Sequence, residues 1–163
     1  MATNDPSDST FDQLCQFARE TALLQSVSEL LGWDERTLLP PAAGPYRAEQ
    51  VTYLSGILHA RRTDPRLGQW LEELAASPMA TDPHSDQGAT IRQIHRDYDR
   101  QRKLPQTLVE ELTRATVTGQ QVWSEANKKD DFPSFRPHLE KILALKQQEA
   151  EAVGYEDEPY DAL

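Results

Sequence analysis

The stretch LGWDERTLLPPAAGPYRAEQVTYLSGILH, residues 31–59, decides how the chain is read. Leu30 and Leu31 close one run of helically spaced apolar residues, and Val51, Leu54, Ile57 and Leu58 carry another. Between the runs, Pro40, Pro41 and Pro45 forbid a continuous helix, because each ring removes a donor and restricts the residue before it. The segment therefore reads as two helices joined by a stiff turn. Trp33, Asp34 and Glu35 fall at the end of the first, and Arg47 near the start of the second. Adjacent acids point in different directions on a helix, so Asp34 and Glu35 form no catalytic pair by themselves. The guanidinium fork of Arg47 matches a carboxylate, and the spacing predicts a clamp onto Asp34 with Trp33 packed beneath it. The same residues leave a second reading open, in which Trp33 or Arg47 lines a substrate groove.

Helical spacing continues on both sides of this joint. Ser9 is the expected cap of the first helix, with Asp12 three positions on. Phe11, Leu14, Cys15, Ala18, Ala22, Val27, Leu30 and Leu31 form its apolar stripe, Phe17 lies at the edge, and the helix is expected to end near Gly32 or a residue or two later. A second helix fits residues 46–59. Asp64-Pro65 is a cap followed by proline at the first helical position, where the lost N–H costs nothing. The third helix then carries Leu67, Trp70, Leu71 and Leu74. Residues 77–88 read as a loop. The fourth helix takes Ile91, Ile94, His95 and Tyr98 and stops before Leu104-Pro105. The fifth starts at Pro105 and includes Leu108, Val109, Leu112, Val117, Val122 and Trp123. The sixth, capped by Ser134 with Pro137 in its first turn, runs through Leu139, Ile142, Leu143 and Leu145 to a stop at Gly154. Trp70 and Trp123 lie on apolar faces and read as core.

No alternating strand pattern and no repeat of fixed period is present. The fold expected is all-α, an antiparallel bundle of about six helices over residues 9–163, behind a flexible polar terminus at residues 1–8. Beyond an acidic turn, Tyr155, Tyr160 and Leu163 read either as the start of another packed element or as a frayed end.

Composition narrows the function. The chain of 163 residues carries 27 acids against 17 bases, a net charge of −10, and it lacks the basic stripe that nucleic acid needs. No stretch approaches the ~18 apolar residues of a membrane span, and no leader pattern opens the chain. These features predict a cytoplasmic protein with neither a nucleic-acid nor a membrane partner. Cys15 is the single cysteine, so no disulfide forms within the chain, and its place on an apolar face reads as a small buried hydrophobe.

A complete catalytic set is not evident. Zinc needs three or four converging ligands, and the four histidines, His59, His84, His95 and His138, include no pair three or four apart. His95 and Asp99 share a helix face at i,i+4, a spacing that suits two ligands or an ordinary hydrogen-bonded pair. His59 lies at a helix end, where positive charge suits the dipole. Nucleophile elbow, phosphate loop and paired cysteines are all missing.

Several groups of residues together resemble one family. Trp33-Asp34, Thr37, Pro40, Arg47, Leu54, Leu58 and His59 form the first match. Tyr98-Asp99, Lys103, Leu104-Pro105 and Leu108-Val109 follow. Trp123, Ala126, Asp131-Phe132, Phe135, Pro137 and Leu139 come next, and Gly154, Tyr160-Asp161 and Leu163 close the series. In order and separation they resemble the N-terminal region of the M32, or carboxypeptidase Taq, metallopeptidases. Leu39 and Asn127 stand where the family often has methionine and arginine. The resemblance implies a mostly helical enzyme that removes C-terminal amino acids from peptides with the help of zinc. It places the HExxH helix and the later glutamate ligand beyond the equivalent of Leu163, so no catalytic or metal residue is assigned here. It further implies that these helices form a wall beside a deep groove, with Trp33, Asp34, Arg47, His59, Tyr98 and Trp123 as structural or groove residues. The partners implied are the catalytic region itself, a peptide substrate and, as in many family members, a second copy in a homodimer. The alternative is a repurposed helical scaffold that binds other proteins without catalysis.

Overall fold

The computed structural model describes residues 6–82 and 84–162. Six α-helices follow one another: α1 (Pro6–Thr37), α2 (Gly44–Arg62), α3 (Pro65–Ala75), α4 (Asp86–Gln101), α5 (Gln106–Lys128) and α6 (Phe132–Val153). Short 3-10 turns lie at Pro41–Ala43, Pro78–Ala80 and Pro159–Ala162, and no strand occurs among the described residues. The expectations for residues 1–5, Pro83 and Leu163 lie outside these residues.

Helix α1 begins at Pro6, ahead of the expected cap, so residues 6–8 belong to the helix rather than to a flexible terminus and Ser9 lies inside it. It also runs past Gly32. A mid-helix glycine costs only about 1 kcal/mol relative to alanine, and no proline follows until position 40. The helix ends where Leu38 and Leu39 both donate to the Asp34 carbonyl. Its first half packs on α3, and α3 in turn on α4. Leu14, Phe17, Leu67, Leu71, Leu74 and Ile91 form the core there, with Trp70 and Tyr98 packed against it. Phe17, placed at the stripe's edge by spacing, is buried, meeting Trp70 edge-to-face at 5.8 Å with the Arg61 guanidinium 4.2 Å above its ring. Cys15 is half-buried rather than buried. Each fully buried leucine contributes roughly 1.5–3 kcal/mol.

Helices α2, α5 and α6 form a second layer. Helix α2 packs on α5, and α5 on α6, which approach closely at Gly119, where an added Cβ would sit 2.8 Å from the Ile142 Cδ1. The start of α3 follows the sequence reading: Asp64 accepts from the Arg66 backbone and precedes Pro65. For α6 the cap is Asp131, not Ser134. The Asp131 carboxylate accepts from both the backbone N–H and the hydroxyl of Ser134, which leaves Pro137 inside the helix. Gly154, at φ 84°, ends α6 as expected. The Lys103 ammonium donates to the Val153 carbonyl at 2.7 Å and so ties the end of α4 to the end of α6.

Candidate functional site

The joint at residues 34–47 is built from both helices it connects. Arg47 is buried at the start of α2. Its Nη2 donates to Asp34 Oδ2 at 2.6 Å, its Nη1 to the Leu31 carbonyl, and its Nε to Gln50 Oε1 at 3.1 Å. The guanidinium thus ties the C-terminal part of α1 to α2 through a carbonyl within the helix as well as a carboxylate. Gln121 of α5 completes the joint, donating to Glu35 Oε1 at 3.2 Å and to the Gly44 carbonyl at 3.1 Å. A Cβ on Gly44 would meet that amide, so a side chain there would push the end of Gln121 aside. Trp33 is not beneath the clamp: it is 53% exposed. The reason is geometric, since Asp34 turns toward α2 and its immediate neighbour must point elsewhere.

His59 lies in the last turn of α2, as expected, but it is buried there. It shares a face with Thr52 and Gly56 at i,i+4,i+7 spacing, and Gly56 abuts Glu110 and Gln106 of α5. Neither His59 Nδ1 nor Thr52 Oγ1 has a hydrogen-bond partner among the described residues. Tyr98 is half-buried and brings its hydroxyl against Gly68. It also edges a cleft of about 450 Å³ between α1, the end of α2 and α4, lined by Phe17, Thr21, Arg61, Ile94 and Gln101. Trp123, expected in the core, is 44% exposed at a hollow near the α5–α6 turn, with Phe132 and Phe135. An apolar stripe as broad as that of α5 outruns the surface that α2 and α6 cover.

The candidate residues thus fall into separate neighbourhoods. The structure brings Asp34 and Arg47 together, and it keeps His59, Tyr98 and Trp123 apart in different settings. His95 Nδ1 and Asp99 Oδ2 lie 3.0 Å apart on partly exposed side chains. Among the described residues no group of three or more His, Cys, Asp or Glu side chains is arranged to hold a metal ion, so the side chains present do not fit a zinc centre. Two residues of the joint, Gln121 and Glu35, carried no such assignment in the sequence. A glutamine far along the chain gives no local signal of its target.

Two packed helical layers and a clamped joint define an all-α unit. Residues 13–163 match the model of the carboxypeptidase Taq (M32) metallopeptidases, and the chain belongs to that family. It is 38% identical over 146 residues to thermostable carboxypeptidase 1 of Thermus thermophilus, covering 90% of this chain and 29% of that protein. With thermostable carboxypeptidase 1 of Pyrococcus furiosus it shares 30% identity, covering 94% of this chain and 30% of the relative. The BsuCP crystal structure superposes with a TM-score of 0.80 at 26% identity, over 96% of this chain and 30% of that one. The chain spans less than a third of the length of these relatives.

Proposed function

We propose that this chain is the N-terminal, groove-forming structural part of a zinc-dependent metallocarboxypeptidase that removes C-terminal amino acids from peptides. One observation carries the reading. The family match extends over almost the whole chain, yet the chain spans under a third of its relatives and brings together no metal ligands among its described residues. The chain supplies wall and support, and the cleavage chemistry and its zinc belong to a catalytic region beyond what this chain contains. Peptide binding, a cytoplasmic setting and pairing into a homodimer are parts of the same proposal.

The competing reading, a repurposed interaction module, calls for a sealed polar surface. The uncovered leucines and tryptophan of α1 favour the first reading. The test is direct. The purified chain, given zinc and an unblocked peptide, is expected to release no C-terminal amino acid. Release that a chelator abolishes would overturn the proposal.

A further inference from the structure

Helix α1 is apolar on two nearly opposite faces. At about 100° per residue, Thr10, Leu14, Phe17, Thr21, Leu24 and Ser28 share the inward seam, and all of them are buried or half-buried. Leu23, Val27 and Leu30 lie about 140–180° around the helix from Leu14. They repeat at i,i+4,i+7 and are 68%, 48% and 62% exposed. A helix that is apolar on both sides is one that packs between two layers, and this chain supplies only the inner layer.

We propose that the row Leu23, Val27 and Leu30, extended by Trp33, is the face on which the remainder of the M32 fold docks. The occupant follows from lengths. The relatives continue for more than twice the length matched here, and a fold of that size has to cover one side of this unit. Residues 21–34 of α1 are already fixed in place from the other side. Arg47 holds Leu31 and Asp34, Arg62 donates to Gln25 at 3.0 Å, and Arg61 donates to Thr21 at 3.1 Å. The outward row is therefore presented on a braced helix and needs no rearrangement to be covered. The same backbone course occurs in the far longer BsuCP chain.

This inference rests on reading the chain as the N-terminal part of such an enzyme, and the experiment separates the two. The chain is grafted in place of the matching portion of the Thermus thermophilus enzyme, and L23Q/V27Q/L30Q is made both in the graft and in the chain alone. In the chain alone the triple variant is expected to melt within about 2 °C of the parent and to bind measurably less of a hydrophobic dye. In the graft the same variant is expected to lower the melting temperature by about 5 °C or more. An active graft whose melting ignores the triple substitution overturns the docking face and leaves the functional reading standing. A folded graft that cleaves no peptide overturns the functional reading itself. Unchanged dye binding in the chain alone overturns the face even where a graft fails to fold. A dimer of the chain that the triple variant splits assigns the row to a second copy and likewise overturns the proposal.

Discussion

Along α1, residues 10–18 lie against α3 with Leu14 and Phe17 buried, whereas residues 22–34 are held by polar ties and leave their largest side chains in solvent. One helix thus shows two ways of being held. The first half is fixed by apolar burial, which is strong and blind to direction. The second is fixed by guanidinium groups that reach carbonyls and carboxylates, which specify position while an outer apolar face stays open. Packing alone would not distinguish a finished surface from an unfinished one. The apolar row opposite the seam does.

The largest effect expected is L71A, a cavity in the core beneath the first half of α1. It should cost about 2–5 kcal/mol in chemical denaturation, while L30A in the open half should stay within about 0.5 kcal/mol. Equal losses would erase the contrast. Next comes R47A, which strips the open half of its main tie and leaves the Leu31 carbonyl and Asp34 without that donor. A loss of about 1–3 kcal/mol is expected, and one no larger than about 0.5 kcal/mol would show that the clamp holds nothing.

Two glycines sharpen the comparison by sign. A Cβ at Gly88 would come within 2.6 Å of the Asp82 carbonyl oxygen, on the loop packed beside α3 and α4, whereas a Cβ at Gly32 in the open half of α1 meets nothing within 4 Å. G88A should destabilise by about 1–3 kcal/mol and G32A should stabilise by about 0.5–1 kcal/mol. Thermal melts read both, and matching signs would refute the assignment of crowded and open settings. The smallest effect concerns Asp64, the cap of α3. Hydrogen bonding from Arg66 holds its carboxyl below the usual aspartate range. Its contribution is therefore fully present above the unfolded pKa of about 3.9 and fades as pH falls through the lower folded value. D64A should cost about 1 kcal/mol at neutral pH, with the gap to the parent closing below about pH 4. A gap that widens in acid would reverse the sign assigned here.

What the sequence disclosed followed the range of the forces involved. Asp64-Pro65, Gly154 and the Arg47–Asp34 pair were legible because each depends on backbone rules or on a partner across one turn. The outward position of Val27 and Leu30 was open to the same arithmetic, since both fall out of phase with Leu14. Spacing marks an apolar face, however, and does not say what the face meets, so two faces merged into one stripe. Trp123 misled for that reason too. Ser134 and Asp131 both suit a cap, and the three-residue shift between them was settled by which side-chain oxygen reached a free N–H. The burial of His59 and Thr52 depends on what packs on α2, which spacing does not give. Gln121 had no local signature at all.

The amide of Gln121 has a consequence for the order in which the molecule takes shape. It grips the Gly44 carbonyl across 77 residues of chain. Synthesis at about 5–20 residues per second separates the two by about 4–15 s. Throughout that interval a nascent α1 and α2 can pair through Arg47, Arg61 and Arg62, while the bond from α5 to the turn between them is still missing. The hairpin is born with its contacts chosen, and a helix made seconds later adds a brace at its bend.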